Sequence, residues 1–282
     1  MRREELTPYF ERVRPLPEVA VRVLALADDE ATNVAHLARL LQRDPLLHAA
    51  CLRVANSPLM GLRQKVESVE RAVALLGRRA IVKLVVTACA GDTLRGGTQG
   101  YLLQTADLFR HGLAAAAASE LVARRLGAEN PGLLYSACLL QDIGKIVLDA
   151  WVAEQGASLH HLAEDEVPFP EAERLCFGVD HATVGGWLAE SWGFPEPLVE
   201  AIAHHHHPER ASDPTPARVV QLCDLLCLME GIGCGADGLA YAAPAALLDH
   251  LGLDHRELGE LALALAERLP EVEAVVAEVV PA

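Results

Sequence analysis

The stretch YSACLLQDIGKIVL, residues 135–148, decides how the chain folds. Small and apolar residues at helical spacing surround Gln141, Asp142, Gly144 and Lys145, and nothing alternates with the period of two that a half-buried strand needs. A carboxylate and an ammonium buried singly would each cost several kcal/mol, roughly, unless paired or ligated. The run therefore carries a site or descends from one.

Helical punctuation continues on both sides. Upstream, LLQTADLFRHGLAAAAASELVARRLG (102–127) reads as one long helix closed by Gly127, and Asn130 followed by Pro131 is an N-cap with proline in the first turn. Downstream, residues 178–193 and 195–206 form two helices joined at Gly-Phe-Pro, residues 216–231 a third, and Asp254 caps a fourth. Nearer the N-terminus, Leu16, Val19, Val23, Leu24 and Ala27 share a stripe, and Val34, Leu37, Ala38 and Leu41 share the next. Asp44 before Pro45 caps a further helix that Asn-Ser-Pro at 56–58 stops, and Ser68 and Gly77 bracket VERAVALL. GDTLRGGTQG, residues 91–100, is the best linker because three of its last five residues are glycine. The expected fold is all-α: an N-terminal helical bundle over residues 1–95 packed on a second over 96–282.

Composition sets the outer bounds. Apolar residues make up 51% of the 282 and aromatics only 4%, which suits packed helices. A formal net charge of −15 argues against nucleic acid as a partner, since phosphate binding needs clustered Lys and Arg. Seven cysteines, odd in number and mostly within apolar helical runs, read as buried thiols in a reducing compartment. MRREELTPYF has no signal-peptide core, and no uncharged apolar run approaches the roughly 20 residues of a membrane span. A cytoplasmic location without membrane contact is expected.

Several ligand-type residues in the second half do not belong on apolar helices: His111, Asp142, His181, His204 to His207, and Asp224. A lone histidine there is more often a hydrogen-bonded core residue than a ligand. Asp224, bracketed by Leu and Cys in QLCDLLCL, must find a partner. Side chains from separate helices can converge in a bundle interior, which is how bundles build metal sites. The four histidines of AHHHHPE continue an amphipathic helix into Pro208; on a helix adjacent residues point about 100° apart, so one pair, such as His205 and His206, can straddle a site while the others face solvent.

The order His111, Asp142 in QDIGK, His181 in DHATVGGWLAESWGFP, then AIAHHHHP and Asp224 resembles the HD phosphohydrolase superfamily, and more narrowly the HDOD family, a regulatory relative of the HD-GYP cyclic-di-GMP phosphodiesterases. In the first half LPEVAVRVLAL, LQRDPLLHAACLRVANSP and VESVERAVALLGRRAIVKLVV are similar to the N-terminal part of HDOD domains, so the likeness covers roughly residues 10–230. By this resemblance His111, Asp142 and Asp224 match ligands of a first metal, and Asp142, His181, His205 and His206 those of a second. Lys145 matches a lysine near the phosphate, and Asp107 stands where HD-GYP proteins can carry an acidic ligand.

The departure is at Gln141, where an active HD hydrolase has histidine. An amide oxygen is a weaker ligand than imidazole for iron, manganese or zinc. The first position should be degraded and the second intact, leaving at most one divalent metal where a hydrolase would use a pair to clamp the displacement. The segment after His206, HPERASDPTPARVV, also lacks the Gly-Tyr-Pro that follows the paired histidines in HD-GYP enzymes. The resemblance thus implies a non-catalytic signalling module, free-standing, that binds a signalling protein partner and has a pocket for a nucleotide ligand. The alternatives are a metal-dependent phosphohydrolase of nucleotides or cyclic dinucleotides, and a purely structural network in which the histidines and aspartates pair with one another.

Overall fold

A computed structural model describes residues 1–26, 41, 45–164, 167–235 and 246–280. The stripe at Val34 to Ala38 and the cap at Asp44 lie outside the described residues. Among those described there is no strand, only one isolated bridge between Thr98 and Leu103. The all-α expectation holds.

The first helices are α1 (Arg3–Phe10), α2 (Glu18–Leu26), α3 (Pro45–Ala55), α4 (Val69–Leu76) and α5 (Arg78–Leu94), with a single 3-10 turn at Pro58–Met60. Ser68 Oγ accepts from Arg71 N at 3.2 Å, as a cap for α4 should. α5 is the axis of this part and packs on α2, α3 and α4. Gly91 belongs to its last turn rather than to a linker, because a Cβ there would overlap the Val279 side chain. Composition alone reads that glycine as a breaker; tertiary packing explains it as a close approach.

The connection is residues 95–106, held by Ala106 N donating to Arg95 O at 3.0 Å and Gly100 N donating to the Asp149 carboxylate at 2.8 Å. Leu102 and Ala106 have positive φ, 58° and 70°, so the long helix expected from Leu102 starts only at Asp107. That helix, α6 (Asp107–Leu126), is the centre of the molecule: from His111 to Ser119 every residue is buried. Its run of alanines combines the highest helix propensity with side chains small enough for neighbours to approach on all sides. Gly127, at φ 63°, closes it.

Around α6 stand α7 (Pro131–Leu140), α8 (Ile143–Glu164), α9 (Phe169–Phe177), α10 (His181–Ser191), α11 (Glu196–Ala203), α12 (Pro214–Met229), α13 (Leu247–Leu251) and α14 (His255–Val279). Asn130, Asp180, Asp213 and Asp254 cap α7, α10, α12 and α14 through their side-chain oxygens. α14 packs on α6 but also reaches α3, α5 and the 3-10 turn, while α1 packs back on α8 and α10, with the Tyr9 and Trp151 ring centroids 4.4 Å apart. The elements before and after residue 95 thus interlock at both ends over a connected apolar core from Leu6 to Val279. None of the described helices is long and apolar enough to cross a membrane.

Two features of the QDIGK run position the site. The chain breaks between α7 and α8 at Gln141 and Asp142, turning both side chains inward, where they are buried. One residue pair on, a Cβ at Gly144 would overlap the His181 carbonyl oxygen, so only glycine lets α10 press against the start of α8 and bring His181 beside Asp142.

Candidate metal centre

Six side chains from α6, the α7–α8 break, α10, the turn after α11 and α12 meet in the interior. The turn is a departure from expectation. α11 ends at Ala203, and His204 to His206 form a turn rather than further helix. With helical phasing released, the His205 and His206 rings converge to a centroid distance of 4.0 Å. His207 instead turns to Glu209, 3.2 Å away at the surface.

At the first position, His111 Nε2 lies 2.9 Å from Asp224 Oδ1 and His111 Nδ1 lies 2.9 Å from the Ile232 carbonyl oxygen. Both neighbours are acceptors and favour the doubly protonated ring, whereas the Gln141 amide nitrogen beside Nε2 is a donor that does not. Burial disfavours that charged form, yet the hydrogen bond and charge of Asp224, together with Asp142, outweigh it and raise the pKa to about 9. Gln141 completes the group: its Nε2 donates to Asp224 Oδ1 at 3.2 Å and lies 3.0 Å from His111 Nε2. Its Oε1 is buried with no hydrogen-bond partner, and turning the amide over would only transfer that lack of a partner to its nitrogen.

Asp142 links the two positions. Its Oδ2 accepts from Lys145 Nζ at 2.9 Å and lies 3.7 Å from His111 Nε2, while Oδ1 is 3.4 Å from His181 Nε2. Burial alone would raise its pKa, but Lys145, His181 and His111 hold it well below the usual carboxylate range. It stays ionised.

At the second position, His181, His205 and His206 each offer a ring nitrogen, and these atoms lie within 4.8 Å of one another. His181 Nε2 and His206 Nε2 are 3.0 Å apart and share one proton. That proton sits on His181: burial opposes its charge, but the carboxylate of Glu173 overrides burial and raises its pKa. His206 is its neutral acceptor, its pKa pushed well down by burial and then by His205 and His181. His205 Nδ1 donates to the Ile202 carbonyl at 2.8 Å, which leaves its Nε2 as the lone-pair nitrogen, buried and without a partner. Three imidazole nitrogens, one of them orphaned, fit a single divalent ion of the iron, manganese or zinc class, with Asp142 Oδ1 lying 3.4 Å from one of the three, His181 Nε2.

Glu173 is the residue that the sequence reading missed. Fully buried on α9, it accepts from His181 Nδ1 at 2.7 Å and His181 N at 2.9 Å, and from the Tyr101 hydroxyl. Its signal was present: Phe169, Glu173 and Phe177 recur every four residues, placing a carboxylate on the apolar stripe. Asp107 goes the other way, for it pairs with Arg110 and caps the turn at Gln104 N, so it does not join the group.

Phe169, Pro170 and Leu228 close the space beside Asp142, Lys145, His181, His206 and Asp224, leaving a cavity of about 10 Å³. That is room for one water or ion.

The chain belongs to the HDOD domain family, whose profile matches residues 13–208. Asp224 lies beyond the matched segment. An HDOD domain protein of unknown function from Geobacter sulfurreducens is 25% identical and superposes with a TM-score of 0.75, covering 100% of this chain and 99% of that one. A Shewanella amazonensis SB2B protein, provisionally named a phosphohydrolase, is 24% identical with a TM-score of 0.73, covering 97% of each chain. An uncharacterised protein of Treponema pallidum (strain Nichols) is 23% identical over 202 residues, 70% of this chain but 39% of the relative, so this chain spans about two fifths of that relative's length.

Proposed function

We propose that the chain is a non-catalytic regulatory module of HDOD type, cytoplasmic, acting through a signalling protein partner and holding at most one divalent metal at His181, His205, His206 and Asp142. The single observation that carries this reading is Gln141, whose buried amide stands in the first position with its Nε2 3.0 Å from His111 Nε2 and 3.2 Å from Asp224 Oδ1. An amide there cannot replace imidazole as a ligand of comparable strength. A metal pair that clamps both oxygens of a phosphoryl displacement therefore lacks its first member. A cavity of about 10 Å³ beside Lys145 favours a water or an ion there over a nucleotide. The seven free thiols suit a reducing compartment.

A metal at the second position would supply Lewis acidity and lower the pKa of a bound water. The chain's own part would be to hold the ion with three imidazoles, keep Asp142 ionised through Lys145, and fix His181 through Glu173. That histidine triad, with Asp142 beside it, favours the second reading, a metal-dependent phosphohydrolase of a nucleotide or cyclic dinucleotide, to which the name of the Shewanella protein also points.

The deciding experiment is metal analysis of untagged protein, coupled to release of phosphate or linear dinucleotide by wild type and Gln141→His. Each is supplied with manganese, or with ferrous iron anaerobically. At most one metal per chain and no turnover by either protein are expected, since one restored ligand does not recreate a substrate-binding segment. Robust wild-type turnover abolished by Asp142→Ala would overturn the non-catalytic reading.

A further inference from the structure

We propose that the groove where α7, α11 and α12 begin is a docking site for a basic, amphipathic segment of a partner protein. It has a volume of about 800 Å³, far larger than the buried metal centre, and shares no lining residue with it. Leu126, Leu133, Leu134, Pro197 and Val219 make its floor, an apolar surface of the kind that takes one face of a helix or extended peptide.

The rim settles the charge of the occupant. Glu129, Glu196, Glu200 and Asp213 line the groove, and no lysine or arginine does. Glu129 and Glu196 are exposed and have no ion-pair partner among the described residues. Glu200 accepts from Ser212 Oγ at 2.7 Å, which fixes the wall between α11 and α12. Three helix N-termini also open here, each worth about half a positive charge. Asn130 and Asp213 already cap two of them, and four full carboxylates exceed their combined effect. The full charges in the lining are all negative, which disfavours phosphate-bearing partners and anionic lipid and favours lysine or arginine beside apolar side chains.

Position adds a consequence for signalling. α7 carries Leu133 and Leu134 in the groove and runs into Gln141 and Asp142; α11 carries Glu196 and Glu200 and runs into His205 and His206; α12 carries Val219 and, further along, Asp224. The ten residues of α7 span about 15 Å. A docked partner would therefore grip the far ends of three of the helices that lead into the metal centre, α6 and α10 supplying its other residues. The inference rests on the reading of the chain as a protein-binding module, not on whether a metal is bound.

The test pans a random-peptide display library on wild-type protein with counter-selection on Glu129→Lys/Glu196→Lys. Individual peptides are then measured by fluorescence anisotropy and mapped by hydrogen exchange. The expected peptides combine Lys or Arg with apolar residues at helical spacing, bind the double variant at least about tenfold more weakly, and protect the first turns of α7, α11 and α12. Leu133→Ser, checked for folding by circular dichroism, should also weaken them. Acidic or neutral winners, no enrichment, equal binding to the charge-reversed variant, or protection elsewhere would each overturn the docking site. So would a rise in mass to a dimer that the peptides do not reverse, which would assign the groove to a second copy. Turnover in the phosphate-release assay would leave this result untouched, so the two failures are distinguishable.

Discussion

The two halves of the metal centre use the same residue types at the same depth, yet they settle their charges differently. Around His111 the ring is engaged at both nitrogens, by the Ile232 carbonyl and the Asp224 carboxylate, and the buried atom left without a partner is the Gln141 amide oxygen. Around His181 two imidazoles share a proton and His205 keeps a buried lone pair without a donor. Each half thus keeps one buried atom without a partner, and they differ as ligands: an imidazole nitrogen binds a borderline metal strongly, an amide oxygen weakly. One residue, Gln141, marks the difference.

The largest effect expected from this contrast is on metal affinity. His206→Ala should weaken binding of a single divalent ion at least about 100-fold, on the order of 3 kcal/mol, whereas His111→Ala should change it by less than about threefold. Calorimetric titration of the two variants with zinc or manganese decides the matter. Equal losses would show that both positions hold the ion together, and the contrast would break.

The architecture that creates the second half can be broken separately. Gly144→Val drives a branched side chain into the His181 carbonyl and should cost about 3 kcal/mol or more in urea denaturation, because the neighbour is backbone and cannot swing aside. A loss below about 0.5 kcal/mol, near the scatter of surface substitutions, would show that α8 and α10 can separate freely.

The first half should reveal its proton in the pH dependence of stability. His111 has its pKa raised to about 9 in the folded chain, against about 6.5 unfolded. Its contribution is therefore fully present below pH 6.5 and is lost as pH rises through 9. A shift of that size corresponds to up to about 3 kcal/mol, and about 1–2 kcal/mol is a fair expectation once neighbours relax. Unfolding midpoints between pH 6.5 and 9.5 should fall for wild type and much less for Asp224→Asn. Parallel profiles would mean that the ring is neutral and free to ligate.

Much of this organisation was legible in the residues themselves. Caps at Asn130 and Asp254 are local chemistry, and both appear where the capping pattern puts them. That Asp142 and Asp224 need partners follows from ionisable residues on apolar helices, whereas the pairing of Asp224 with His111 came from the resemblance to HD proteins. What was not legible depends on distant contacts. Gly91 reads as a linker until Val279 is seen against it, and AHHHH reads as helix until the turn before Pro208 aims two rings at one point. Glu173 was visible as a misplaced carboxylate, but its target His181 sits on the next helix.

Glu173 yields the smallest effect and the sharpest test of the second half. Its carboxylate both orients the His181 ring and raises its basicity, as partners behind metal-bound histidines do. In Glu173→Gln the amide oxygen can still accept from Nδ1, so orientation survives and only the charge is removed. Two opposite consequences follow. The less basic ring is a poorer ligand, so metal affinity above pH 8 should fall about tenfold. The same ring also releases its proton more easily, and since that proton occupies the nitrogen a metal would take, competition from protons should begin at a lower pH than in wild type. Plotted against pH, the binding curve of Glu173→Gln should lie below that of wild type at high pH and converge on it, or cross it, as pH falls. A uniform loss at every pH would reduce Glu173 to a packing role and leave the Asp142 carboxylate alone in setting the charge of the second position.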